Sequence, residues 1–165
     1  MTLTILALIA VLMLLETFHS RRNERALRAR GAREPHDDVY RWMQIVYPGS
    51  FILMGVEGLS RGEPPEGRLV AGAILFGAAK ALKYWAISSL GPFWSFRVLV
   101  LPGASLVTTG PYRWFRHPNY LGVMGELLGA AVLLHAPIAG IVGVVAFGFL
   151  LRRRIAVEER ALRDA

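Results

Sequence analysis

The segment Gly110-Pro111-Tyr112-Arg113-Trp114-Phe115-Arg116-His117-Pro118-Asn119-Tyr120 sets an imidazole, an amide, two phenols and two guanidiniums at the mouth of an apolar run. A second apolar run ends in Arg152-Arg153-Arg154-Ile155-Ala156-Val157-Glu158-Glu159. Polar groups crowded against both ends of a hydrophobic hairpin are costly to desolvate unless they bind something. Together they suit a site that holds a charged cofactor beside an apolar substrate. Taken singly, each has a plainer reading. His117 is then an interfacial histidine, Tyr112, Trp114 and Tyr120 form an aromatic belt, and Arg113 and Arg116 snorkel to headgroups.

At about 100° per residue, Phe147, Leu151, Arg154, Val157 and Glu158 share one side of the last helix. Arg154 and Glu158 therefore sit one turn apart inside an otherwise apolar stripe. An intrahelical pair with arginine before glutamate is the less favourable order, and such pairs contribute only about 0.2–0.5 kcal/mol. A functional role for the two is the better account. Glu126 lies inside the fourth apolar run and shares its helical face with Gly122, Gly125 and Gly129. Small residues mark close helix packing, so Glu126 faces protein or a cavity. It is either a buried acid bonded to a neighbour or a group that meets substrate.

The elements that must position these groups are membrane helices. The 165 residues are 54% hydrophobic with a mean hydropathy of +0.41, which points to lipid as the solvent. No cysteine is present, which excludes disulfides and thiolate metal sites. An isoelectric point near 10.5 could suggest nucleic acid. The basic residues instead cluster at the ends of apolar runs, as in membrane topology, and no nucleic-acid partner is expected.

Apolar runs at Thr2–Phe18, Trp42–Leu59, Leu69–Ile87, Tyr120–Ala136 and Ile138–Leu151 predict an all-α integral membrane fold of about five transmembrane helices. Several fall short of the roughly 20 residues of a full span, so tilt or partial penetration is expected. The first run lacks a positive leader and reads as an uncleaved anchor. Arginines crowd the segments between runs one and two and after run five, and Lys80, Lys83, Arg97, Arg113 and Arg116 lie at the end of run three or before run four. Only Arg61 and Arg68 separate runs two and three. The asymmetry predicts the N-terminus outside and the C-terminus in the cytoplasm. Ser20–Glu34 has helical composition but few apolar residues and reads as a solvated or headgroup-lying helix. Ser88–Gly110 reads as an extended or hairpin-like cytoplasmic connector, with a helix starting at Gly110-Pro111. No repeat or boundary divides the chain, so 1–165 is read as a single domain.

The run from Gly110 to Gly122, taken with Arg154, Glu158, Glu159 and Leu162, resembles the isoprenylcysteine carboxyl methyltransferase family, within a wider group that includes phospholipid N-methyltransferases. The signature covers mainly residues 90–165. The resemblance implies a membrane enzyme using S-adenosylmethionine, with the connector and C-terminal helix forming the cofactor site. It implies cofactor contacts from Tyr112, His117, Pro118, Asn119, Tyr120 and Glu158, and from the backbone of Ala104, Ser105, Leu106 and Val107. Arg154 matches the position associated with a substrate carboxylate. Ala104 stands where the eukaryotic enzymes carry a polar residue, and Glu126 where they carry no acid. The short form and the Leu90-Gly91-Pro92-Phe93-Trp94 connector resemble bacterial members, which implies a bacterial cytoplasmic membrane. Some of those are associated with methylation of alkylresorcinols or alkylpyrones.

Methyl transfer from a sulfonium needs the nucleophile aligned and water excluded, more than covalent chemistry. A prenylcysteine-type carboxylate needs only placement, which suits Arg154. A hydroxyl acceptor, with a phenolic pKa near 10, needs help to lose its proton, and Glu126 or His117 is the candidate base. The alternatives are a phospholipid N-methyltransferase and a non-enzymatic anchor whose arginines gather acidic lipids.

Overall fold

A computed structural model describes residues 1–163; positions 164–165 of the expected domain lie outside the described residues. Five α-helices follow in order: α1 (Thr2–Ala29), α2 (Tyr40–Arg61), α3 (Glu66–Leu90), α4 (Pro118–Leu133) and α5 (Pro137–Arg163). Short 3₁₀ turns at Gly91–Phe93 and Gly110–Arg113 flank an irregular connector. The five apolar runs thus become five helices. By length and composition, α1 and the stretch Glu66–Phe93 could each cross a membrane.

Large apolar side chains cover much of the outside of the bundle as well as its core. Ile52, Ile74 and Ile141 are each more than 60% exposed, on three different helices. Inside, glycines let backbones touch. A Cβ on Gly129 would lie 2.6 Å from the Phe76 backbone nitrogen, and one on Gly72 would lie 2.5 Å from that of Leu133. Gly122 and Gly125 similarly abut Lys83 and Ala79. The α4 face predicted to pack closely therefore does so, against α3. Apolar side chains turned outward with small residues at the contacts are what packing in lipid favours.

Three local expectations change. Ser20–Ala29 continues α1 and is not wholly solvated, since Ser20, Asn23 and Leu27 are buried. Its polar residues fall on the face that grips the connector. Ser20 Oγ accepts the Phe96 N–H at 2.8 Å, and Asn23 donates to the carbonyls of Gly91 and Trp94 at 3.0 and 2.8 Å. The connector does not pair with itself as a hairpin. Its one β-bridge among the described residues joins Val100 to Arg33, in the α1–α2 loop. Gly110-Pro111 begins only a 3₁₀ turn, and the second proline, Pro118, opens α4 at its first position.

At the opposite end of the bundle, Glu57 of α2 accepts the backbone N–H of Ala139 at 2.6 Å and of Ile138 at 3.2 Å. A carboxylate from a neighbouring helix thereby satisfies the first free donors of α5. Glu57→Ala is expected to cost about 1 kcal/mol of stability, the usual scale for a lost cap. Denaturant unfolding in detergent checks this, and an unshifted midpoint would show that the contact contributes nothing.

Candidate active site

A cavity of about 960 Å³ lies between α1, α2, α4, α5 and the connector. Ala104, Ser105, Leu106, Val107, Tyr112, His117, Asn119, Tyr120 and Glu158 all line it, together with Arg154. Residues more than fifty positions apart in sequence thus share one chamber. Pro118 is not on the wall; it is buried as the first residue of α4, where its fixed φ suits the helix start.

Arg154 is 4% exposed and fully engaged in orientation. Its Nη1 donates to the two Asp38 oxygens at 3.0 and 3.2 Å, its Nε to the Tyr120 hydroxyl at 3.0 Å, and its Nη2 to the Phe96 carbonyl. The Tyr120 hydroxyl donates in turn to Glu158 Oε2 at 2.5 Å. Arg154 and Glu158 are therefore joined through Tyr120 rather than paired along the helix. Asp38, which supplies the counter-charge, is absent from the sequence-based set. Its signal was an acid pair, Asp37-Asp38, at the end of an arginine-rich segment.

The His117 ring stacks on Tyr120 with centroids 5.5 Å apart and planes 16° apart. Its Nε2 lies 3.2 Å from Glu159 Oε1. Asn119 Oδ1 is buried without a hydrogen-bond partner among the described residues. Burial raises the Tyr112 phenol well above its ordinary range, and the charge of Glu158 adds to the shift. This wall thus offers an unused amide oxygen, a carboxylate and aromatic surface, a set that fits a ligand bearing an ammonium group and a flat ring. Across the mouth, Glu34 ties the α1–α2 loop to the connector by accepting from Arg97 at 2.6 Å and from Arg28. Burial pushes the Glu34 carboxyl up, but the two guanidiniums outweigh it and hold the group below the usual range.

Glu126 is not on the cavity wall. It lies behind Tyr47 and Lys83 in a buried network that reaches four helices. Lys80 Nζ contacts Glu16 Oε1 at 2.7 Å and Glu126 Oε1 at 3.1 Å. Lys83 Nζ contacts Glu16 Oε2 at 2.6 Å and Glu126 Oε2 at 3.2 Å. The Tyr47 hydroxyl donates to Glu126. Two ammoniums balance two carboxylates, which accounts for an acid at this depth. Lys80 and Lys83, expected at a cytoplasmic boundary, are 7% and 1% exposed. Glu16, Lys80 and Lys83 interrupt apolar runs just as Glu126 does, and that shared anomaly was the available signal.

The profile of the isoprenylcysteine carboxyl methyltransferase (ICMT) family matches residues 71–164. Uncharacterized protein YpbQ of Bacillus subtilis is 30% identical over 97% of this chain and 95% of its own length. An uncharacterized protein of Haemophilus influenzae is 25% identical over 86% of this chain and 83% of its own. The human protein-S-isoprenylcysteine O-methyltransferase is 40% identical over 58 residues, covering 35% of this chain and 20% of that enzyme. No solved structure matches the chain. The chain belongs to the isoprenylcysteine carboxyl methyltransferase family.

Proposed function

We propose that this chain is an integral membrane enzyme that methylates an oxygen of a lipophilic acceptor, with S-adenosylmethionine as methyl donor. The observation that carries the reading is the single cavity in which the connector backbone, Tyr112, His117, Asn119, Tyr120, Arg154 and Glu158 converge. When bound, S-adenosylmethionine supplies an electrophilic methyl carbon on a sulfonium. Asn119 and Glu158 would accept hydrogen bonds from its ammonium, and Tyr112 and the Ala104–Val107 backbone would flank the rest. Connector residues 94–100 line the same cavity, where exclusion of water would favour the transfer.

Three features support a neutral hydroxyl acceptor over a carboxylate. Arg154 already meets Asp38, Tyr120 and Phe96, so its charge is balanced and its donors are directed within the protein. Glu158 adds negative charge to the same wall. His117, held by Glu159, is a wall group able to take the proton that a hydroxyl releases as its O–C bond forms. Glu126, bonded to two lysines behind the wall, serves the network rather than the proton.

All five helices would enter the bilayer, their apolar faces toward lipid, with the cavity mouth and α5's arginine-rich end in the cytoplasm. The absence of native cysteine makes this easy to check. With Ala156→Cys and Ser60→Cys, an impermeant maleimide is expected to label position 156 only from the cytoplasmic side and position 60 only from outside. The reverse pattern would overturn the orientation. For the activity, calorimetry of S-adenosylmethionine binding in detergent is paired with mass spectrometry of membrane lipids with and without the gene. Binding plus a methyl-sized shift is expected. Neither appearing would return the chain to the role of an anchor, and a shift confined to amine headgroups would make it an N-methyltransferase.

A further inference from the structure

The contacts that fix Arg154 begin on a residue behind the cavity wall. Asp38 is not among the residues that line the cavity, and its side chain is 4% exposed. Both of its oxygens accept from Arg154 Nη1, at 3.0 and 3.2 Å, and Oδ2 lies 3.4 Å from the Val98 backbone nitrogen. One buried acid thus joins the α1–α2 loop to the connector and to α5. Reciprocal backbone bonds between Arg33 and Val100, both 2.9 Å long, hold the loop there. Asp37 anchors it a second time, to Arg160 at 2.6 Å.

Beyond Arg154 the hydrogen bonds have a fixed direction. A guanidinium can only donate, so the Tyr120 oxygen accepts from Arg154 Nε at 3.0 Å. The phenol has one proton, which then goes to Glu158 Oε2. Arg154, Tyr120 and Glu158 all line the cavity. The Arg154 guanidinium also lies 5.8 Å from the centre of the Tyr40 ring, two residues past Asp38. Stability alone does not call for a charged pair here, since buried pairs can often be replaced by apolar residues without loss. An apolar pair would lack the donor that turns the Tyr120 proton towards Glu158.

We propose that Asp38 is a positioning residue for the cofactor site, acting through Arg154 on Tyr120 and Glu158. The proposal rests on Glu158 receiving S-adenosylmethionine, as set out above. Asp38 neutralises the guanidinium and fixes where it points. Arg154 then orients the phenol, which holds one Glu158 oxygen and leaves the other for a ligand. Arg154 and Glu158 are one turn apart on α5, within reach of a direct pair. A guanidinium released by Asp38 would turn to that carboxylate and take it from the ligand.

The test is calorimetry of S-adenosylmethionine binding in detergent across a double-mutant cycle of Asp38→Asn and Arg154→Met. Asp38→Asn alone is expected to weaken binding by about tenfold or more. Asp38→Glu keeps the charge and is expected to recover most of that loss; equal losses in the two variants would overturn the role. In the Arg154→Met background, adding Asp38→Asn is expected to change affinity by no more than about twofold. A loss of the same size in both backgrounds would also overturn it, because Asp38 would then act without Arg154. The doubly substituted protein leaves the net charge of the region unchanged. Wild-type affinity in that protein would overturn the role even if Asp38→Asn alone does not fold. A wild-type protein that binds no S-adenosylmethionine would remove the cofactor reading itself, and this role with it.

Discussion

Glu158→Gln is expected to weaken S-adenosylmethionine binding by about 2–5 kcal/mol, the usual scale when one partner of a desolvated charge contact is removed. That corresponds to roughly a thirtyfold loss or more. Glutamine keeps an acceptor for the Tyr120 hydroxyl, now at 2.5 Å from the carboxylate, so the change isolates the charge. His117→Ala should also weaken binding, because it removes the ring stacked on Tyr120 and the partner of Glu159. Calorimetry on folded protein in detergent reads both. Unchanged affinity in the two variants would move the cofactor off this wall.

The second large effect belongs to the buried network. Lys83→Met alone leaves Glu16 and Glu126 facing Lys80 as their one remaining cation in the network. Breaking a buried ion pair from one side typically costs about 3–5 kcal/mol. Adding Glu126→Gln restores neutrality and is expected to recover most of that loss. Thermal unfolding of the two single variants and the double in one detergent gives the coupling. Simple additivity would show that the four groups do not act as a unit.

Each of the five helices was legible from its apolar run, and α4's packing face from the spacing of Gly122, Gly125, Glu126 and Gly129. Element ends were harder to place. α1 runs to Ala29 because Ser20 and Asn23 find partners in the connector, and long-range partners leave no local pattern. The candidate site was readable where a family signature spans it, in the Tyr112–Tyr120 segment and at Arg154 and Glu158. Asp38, Glu16, Lys80 and Lys83 lie before that stretch or at its upstream edge, on helices and loops whose contacts depend on tertiary geometry. The charge counting that suggests topology assigned the lysines to a boundary because it weighs sign and position but not which way a side chain turns.

The buried network also constrains how the chain is made. Glu16 would enter the bilayer with α1 before the ribosome has produced Lys80 and Lys83, and Glu126 follows only with α4. A lone charge near the middle of a helix costs about 3 kcal/mol to insert, so the early segments gain a stable place only once their partners emerge. A nascent chain arrested before α4 would hold two ammoniums against one carboxylate. In that product Glu16 already has both lysines and the surplus ammonium lies on α3, so the charge of the third helix is balanced only when the fourth is synthesised.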